Sequence, residues 1–390
     1  MMMARRRRLL ILTDGYYGWD DTSRYVRSLT RTARSLLGDD RVHVLCRFDQ
    51  AGPDVNADPQ IMTLNVASGS ETLRTEFYRT NIRLIARSVK YRWIRDVSHV
   101  ICTRLSLAHS CRLASNLTGW RYTFASRSCE GWGGLSVRER DDLLSASFVL
   151  ASSPAAAQRL HNSGVACSRI ALMPDPIPPA HVIVSLATPQ LRDTKAWSLV
   201  SVGPFDDPVS RASVGMVISS MKIVADQAPR VTYTIVERPE SLSRFQTLAS
   251  GLGVASHVHL IPLQSCNDQA RLWYCRRADA VAAIQPAVPR PTGAWQGGGL
   301  SAQALLARAV GLPVLAAQDG EQPAYVTQGI DGMLVDYRSA PRIAAAILEL
   351  VKWPGRLGRT LLDPAIPDLT AYRQETFSKR LGALFEAAEF

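Results

Sequence analysis

Short apolar runs alternate with amphipathic segments along most of the chain, the pattern of a parallel sheet flanked by helices. Leu9 to Thr13, Val42 to Cys46, Ile61 to Val66, His99 to Cys102, Tyr122 to Ala125, Phe148 to Ala151 and Ile170 to Met173 read as strands of a first βα domain. Between them the spacing predicts a helix over Ser23 to Leu37, with Tyr25, Leu29 and Leu36 on one face and Arg24, Arg27, Arg31 and Arg34 on the other. It also predicts a long basic helix over Glu71 to Tyr91 and a helix over Pro154 to Ser163. A proline-rich stretch, Pro174, Pro176, Pro178 and Pro179, then breaks the alternation, and 181–195 reads as a linker.

The alternation restarts with strands at Ser198 to Val202, Val231 to Val236, Val258 to Leu260, Ala280 to Ala283, Pro313 to Ala316 and Met333 to Val335. Helices are expected over Ser213 to Gln227, Ser241 to Gly251, Asp268 to Arg276, Leu300 to Val310 and Ala340 to Lys352. The expected fold class is α/β, with two doubly wound Rossmann-like domains, 1–180 and 196–370, facing a central crevice. A C-terminal helix in 371–390 is expected to pack back on the first domain. Ligands of such sheets bind outside the carboxyl ends of the strands.

Charge sharpens this picture. Residues 1–180 carry 25 Lys and Arg against 16 Asp and Glu, whereas the rest carries 20 against 18. Nearly all of the first half's cations are Arg, Lys90 being its single lysine, so this half suits phosphates or an anionic membrane surface. The arginine run at positions 5 to 8 belongs to that surface, or is a solvated chain end. Nucleic acid is not expected, because zinc-finger spacing and RNP-like aromatic runs are missing from the sequence.

No stretch approaches the ~18 apolar residues of a spanning helix. Asp14 interrupts the apolar run that begins at Leu9, so a secretory signal is not expected either and the chain reads as cytoplasmic. The seven cysteines show neither CxxC nor His pairing at ligand spacing; they read as buried small hydrophobes, with no metal. His43, His99, His257 and His259 lie in or beside apolar strands and read as core or edge residues, His109 and His161 as helical.

Candidate chemistry gathers at the ends of strands. Gly297, Gly298 and Gly299 followed by Leu300 place a glycine run just before an expected helix, where unobstructed N–H groups and the positive helix end meet an anion. Arg211, at the start of another helix, would add a fork of donors matched to phosphate oxygens. Gly15 and Gly18 lie in the first strand-to-helix turn, where the chain passes close to a ligand. Asp14 in that turn is a candidate catalytic carboxylate or a helix cap, while Asp21 reads as a cap. Arg127, Glu130 and Trp132 follow a strand of the first domain. Glu130 offers a carboxylate to a ligand hydroxyl and Trp132 a flat face for stacking, or the segment is a turn with a half-buried Trp.

The second half contains Ser201-Val202-Gly203, the strand Val231 to Val236, Leu252-Gly253-Val254, the segment ARAVGLPV from Ala307 to Val314, and QGIDGMLV from Gln328 to Val335. The first half ends with Ser152-Ser153 ahead of a helix and Ile170 to Asp175 entering the linker. This succession resembles GT-B glycosyltransferases of the retaining family 4 type over nearly the whole chain. The resemblance implies an enzyme that moves a sugar from a nucleotide diphosphate sugar, without a cofactor, to a sugar, lipid-linked or small-molecule acceptor bound by the first domain. It also places a pair of Glu residues at Gly298 and Leu306, where this chain has neither, and a diphosphate-clamping Arg at the position of Pro204. A Leu side chain accepts no hydrogen bond from a ribose hydroxyl. The sequence thus leaves open a second reading, a glycosyltransferase-like binding or scaffold protein that supports a partner enzyme.

Overall fold

The structure is a computed structural model that describes residues 7–13, 21–47, 61–64, 96–103, 105–126, 136–177, 196–205, 208–263, 268–284, 287–289, 295–297, 301–353 and 369–389. Two compact units hold these residues, one built on the first half of the chain together with its last residues, the other on Asp175 to Gln374.

The first unit is a sheet of seven parallel strands: β1 (Arg8–Leu12), β2 (Val42–Arg47), β3 (Ile61–Leu64), β4 (Val97–Cys102), β5 (Arg121–Ser126), β6 (Phe148–Ala151) and β7 (Ile170–Leu172). Their order is β3-β2-β1-β4-β5-β6-β7. Leu9, Ile11, Val44, Ile101, Ala125 and Leu150 are wholly buried, as expected of strands covered on both faces. Helices α1 (Asp21–Leu37), α2 (Leu105–Thr118), α3 (Val137–Leu144) and α4 (Pro154–Asn162) connect the strands. Ser136 and Glu139 form a reciprocal capping box at α3, and Ser153 caps α4 ahead of Pro154.

Two cores flank this sheet. Leu107, Ala108 and Cys111 of α2 pack with Leu143 of α3 and Leu160 of α4. The other core joins Tyr25, Val26, Leu29 and Ala33 of α1 to Phe377, Leu381, Leu384 and Phe385 of a C-terminal helix whose residues follow the whole second unit in sequence.

The expected split of α1 into an apolar and an arginine face needs correction. Leu36 is 42% exposed, whereas Arg24 is 6% exposed, because the helix is covered from two sides and its first turns lie deepest. The expected helix over Glu71 to Tyr91 lies outside the described residues. Helix α3 is an addition to the sequence pattern, and α2 gives the expected helical setting of His109 its bounds. Of the described cysteines, Cys46, Cys102, Cys111 and Cys275 are buried, and burial pushes the Cys46 and Cys275 thiols up to about 12; Cys167 is exposed instead.

The second unit repeats the plan. Its strands are β8 (Trp197–Val202), β9 (Val231–Glu237), β10 (Val258–Pro262), β11 (Ala280–Ala282), β14 (Val314–Ala317) and β15 (Gly332–Val335), in the order β10-β9-β8-β11-β14-β15, all parallel. A small antiparallel pair, β12 (Ala287–Pro289) and β13 (Trp295–Gly297), is inserted after β11. The helices are α5 (Pro208–Gln227), α6 (Pro239–Gly251), α7 (Asp268–Cys275), α8 (Ala302–Ala309) and α9 (Ala340–Lys352). The C-terminal helix is α10 (Gln374–Ala387). Helices α5, α6 and α9 form one core with Leu199, Tyr233, Ile235 and Leu315 of the sheet.

Two residues of the QGIDGMLV segment have structural tasks. A Cβ on Gly332 would lie 2.2 Å from the carbonyl oxygen of Val314, so only glycine lets β15 pair with β14 at this point. Asp331 accepts from Thr327 N at 2.6 Å, and its Oδ2 lies 3.1 Å from Arg308 Nε of α8. Burial lowers the Arg308 pKa and raises that of Asp331, and the charge of each opposes the shift of the other.

His99 of β4 illustrates a buried neutral imidazole: Nε2 meets Thr123 Oγ1 at 2.7 Å, and burial, helped by the charge of Arg121, lowers its pKa to about 4. His43 is held at about 4 by burial and the nearby Arg8. Between pH 6.5 and 4 the unfolded chain therefore binds protons that the folded chain refuses. Stability is complete above that window and falls as pH drops through it, by about 3 kcal/mol for His99 alone. Urea unfolding across this range is expected to show the slope, and His99→Gln, which keeps a bond to Thr123, is expected to remove roughly one proton of it. An unchanged slope would count against the buried neutral ring.

Candidate functional site

In a doubly wound sheet, the chain leaves neighbouring strands in opposite directions at one point, and the carboxyl ends part there. In the first unit this point lies between β1 and β4. Thr103 donates its hydroxyl to Thr13 Oγ1 at 2.9 Å, and Thr103 N donates to the Leu12 carbonyl, so the two strand ends are tied by buried polar groups. Thr13 precedes Asp14, which with Gly15 and Gly18 lies outside the described residues. So do Arg127, Glu130 and Trp132, after β5.

In the second unit the point lies between β8 and β11. Tyr233 of β9 donates to Ser201 Oγ at 2.9 Å, and Ser201 donates on to the Ala282 carbonyl at 2.7 Å, fastening β8 to both of its neighbours. Beyond β8 the chain turns through Gly203, Pro204 and Phe205, with a cis Gly203–Pro204 peptide.

Glu237, the last residue of β9, controls that turn. It is 1% exposed; one carboxylate oxygen accepts from Phe205 N and the other from Arg238 N, both at 2.6 Å. A Cβ on Gly203 would lie 2.7 Å from the same carboxylate, which explains the glycine at the end of Ser201-Val202-Gly203. The Phe205 ring meets Phe245 of α6 edge to face at 6.3 Å. Arg211, in the first turn of α5, is half-buried and donates from Nη1 to the Phe205 carbonyl at 3.4 Å. It therefore stands beside the turn after β8.

A second wall is the start of α8. Ser301 is the N-cap: its hydroxyl accepts from Ala304 N at 3.3 Å, and its own N–H donates to the Tyr325 hydroxyl at 3.1 Å. The loop after β14 is held in turn by Gln322, whose Oε1 accepts from Ala317 N at 2.6 Å. Every residue from Ser301 to Ala309 is buried. Leu306 is wholly buried within α8. Gly297 closes β13 opposite Ala287, and the helix begins at Ala302 instead of the expected Leu300. Gly298, Gly299 and Leu300 lie outside the described residues.

Residues 196–352 match the model of a family described as glycosyl transferases group 1. The match lies within the second unit and spans less than half of the chain. No curated protein matches the sequence. Among solved structures, sucrose-phosphate synthase from Thermosynechococcus elongatus is similar at 18% identity and a TM-score of 0.71, covering 97% of this chain and 98% of that one. Anabaena Alr3699/HepE in complex with UDP and glucose follows at 13% identity and 0.69, covering 97% and 100%. The α,α-trehalose 6-phosphate synthase from Burkholderia multivorans is similar at 12% identity and 0.66, covering 98% and 99%. With these neighbours the chain shares the GT-B fold.

Of the residues singled out in the sequence, Arg211 and Gly297 are described, each at the carboxyl edge of the glycosyltransferase domain. The structure adds Glu237 and Tyr325. A glutamate ending the apolar run from Val231 was a visible signal; Tyr325 gave none. Glu237→Ala leaves the half-buried N–H groups of Phe205 and Arg238 unmatched and is expected to cost roughly 1 to 3 kcal/mol in urea unfolding. Glu237→Gln, which keeps one acceptor oxygen, is expected to cost less. A loss under about 1 kcal/mol for the Ala variant would show that the turn does not need the carboxylate.

Proposed function

We propose that this glycosyltransferase moves a sugar from a nucleotide diphosphate sugar to an acceptor with retention of anomeric configuration. The observation that carries the reading is the group 1 domain over 196–352, with a helix start and an arginine at the carboxyl edge of its sheet. The solved complexes of Alr3699/HepE with UDP and with UDP-glucose support a nucleotide-sugar donor on the same fold.

On this reading the leaving diphosphate is stabilised electrostatically, by N–H groups at the start of α8 and by the Arg211 guanidinium, with no covalent nucleophile and no cofactor. Gly297, Gly298, Gly299 and Leu300 lead the chain to that helix end. Gly15 and Gly18 are assigned to donor diphosphate binding as well. Glu130 and Asp14 are assigned to catalysis, Glu130 by orienting the acceptor hydroxyl, and Trp132 and Arg127 to the acceptor. The Arg-rich first half favours an anionic acceptor, such as a lipid-linked one at a cytoplasmic membrane surface. Among the described residues, no helix is long and apolar enough to cross a membrane.

Calorimetry with a panel of UDP-, GDP- and ADP-sugars tests the reading directly. One of them is expected to bind below millimolar concentration, and NMR of the product is expected to show the donor's anomeric configuration. Absence of binding across the panel at millimolar concentration would overturn the transferase reading in favour of a binding or scaffold role. Arg211→Ala is expected to weaken the bound donor about tenfold, the size of one charge-assisted hydrogen bond. Unchanged affinity would remove Arg211 from the diphosphate site.

A further inference from the structure

The two walls of the glycosyltransferase domain's carboxyl edge differ in what they offer an anion. In the turn after β8, Pro204 has no N–H, and the N–H groups of Phe205 and Arg238 are both taken by the Glu237 carboxylate. With Gly203 N donating to the Val236 carbonyl, the described residues of that turn, 203–205, leave no backbone donor for a ligand.

The start of α8 is the reverse. Ala302 and Gln303 occupy its first turn, where N–H groups precede any intrahelical carbonyl, and the Ser301 hydroxyl serves Ala304 instead. Gln303 itself is 5% exposed, and its buried side-chain Nε2 meets no hydrogen-bond partner among the described residues. An amide donor buried in this way is destabilising on its own, and native proteins keep such groups where a ligand or a catalytic step uses them. The first turn of α8 therefore combines two main-chain donors, a side-chain donor and the positive helix end, all in buried residues where a hydrogen bond to an anion is strengthened.

We propose that Gln303 is a diphosphate-binding residue: its carboxamide N–H joins the N–H groups of Ala302 and Gln303 on the phosphoryl oxygens of the nucleotide donor. This rests on the nucleotide-sugar reading above and adds to it the side chain that recognises the phosphates. The residue does this by hydrogen bonding alone, so its contribution depends on acceptor oxygens and not on the base.

The test uses Gln303→Met and Gln303→Leu in the full chain, variants of similar size that lack the donor. UDP, GDP and ADP, and the nucleosides uridine, guanosine and adenosine, are titrated by calorimetry, and Tm is measured for each protein. The nucleoside diphosphate that binds wild type is expected to bind the variants 10- to 100-fold more weakly, with nucleoside affinity unchanged within about twofold. Tm is expected to hold or rise, because a buried unmatched donor has been replaced by an apolar group. A lowered Tm with equal losses for nucleoside and diphosphate would make Gln303 a structural residue and overturn the proposal. So would wild-type diphosphate affinity in both variants. If none of the three diphosphates binds wild type, it is the nucleotide-sugar reading that fails, and the proposal falls with it.

Discussion

Parallel pairing is the constraint from which the rest follows. Consecutive parallel strands are joined by crossovers, and in such sheets both faces are covered. Within each unit all main strands therefore run the same way, and each delivers the residue that follows it to the same edge. Glu237 at the end of β9 and Gly203 after β8 meet at that edge although they are far apart in sequence, and Ser301 ahead of α8 is held by Tyr325. The Tyr233–Ser201–Ala282 relay shows how firmly the centre is held: a phenol and a hydroxyl fasten three adjacent strands just below the point where their ends separate.

The alternation of apolar runs made the fold class legible, because a strand buried on both faces must be apolar along its length. Helix α9 starts and stops where its sequence pattern does, at Ala340 and Lys352, with Ser339 as cap. The hairpin of β12 and β13 escaped notice since three-residue strands carry no periodicity. The face of α1 was misjudged for a different reason. Periodicity finds an apolar stripe but does not reveal that a second helix, distant in sequence, covers more of the surface. At the candidate site, glycines and arginines were legible as residue types suited to phosphate. The roles of Glu237 and Gln303 were not, because a buried carboxylate and an unmatched amide are defined by what surrounds them.

The arginine excess of the first half also takes on a structural meaning. Arg169 donates to the carbonyls of Leu144 and Ala146, Arg41 to that of Arg7, and Arg121 to that of Ala388, while Arg8 meets His43. A guanidinium presents several donors in a fixed fork, so one side chain can close two loose carbonyls at a helix end, which a lysine does less well. These arginines therefore hold backbone groups of the first unit while each keeps its positive charge.

The packing of α10 bears on how the chain is made. Phe377 sets its ring edge to face against Tyr25 at 5.9 Å, and Leu381, Leu384 and Phe385 lie on the same core as Leu9 and Ile11. A ribosome delivers β1 and α1 first and α10 only after the entire glycosyltransferase domain has been synthesised. One face of the first sheet must wait, with apolar side chains uncovered, while the second unit is translated and folds. The order of synthesis and the order of completion are therefore opposite: the half made first is the last to close its core.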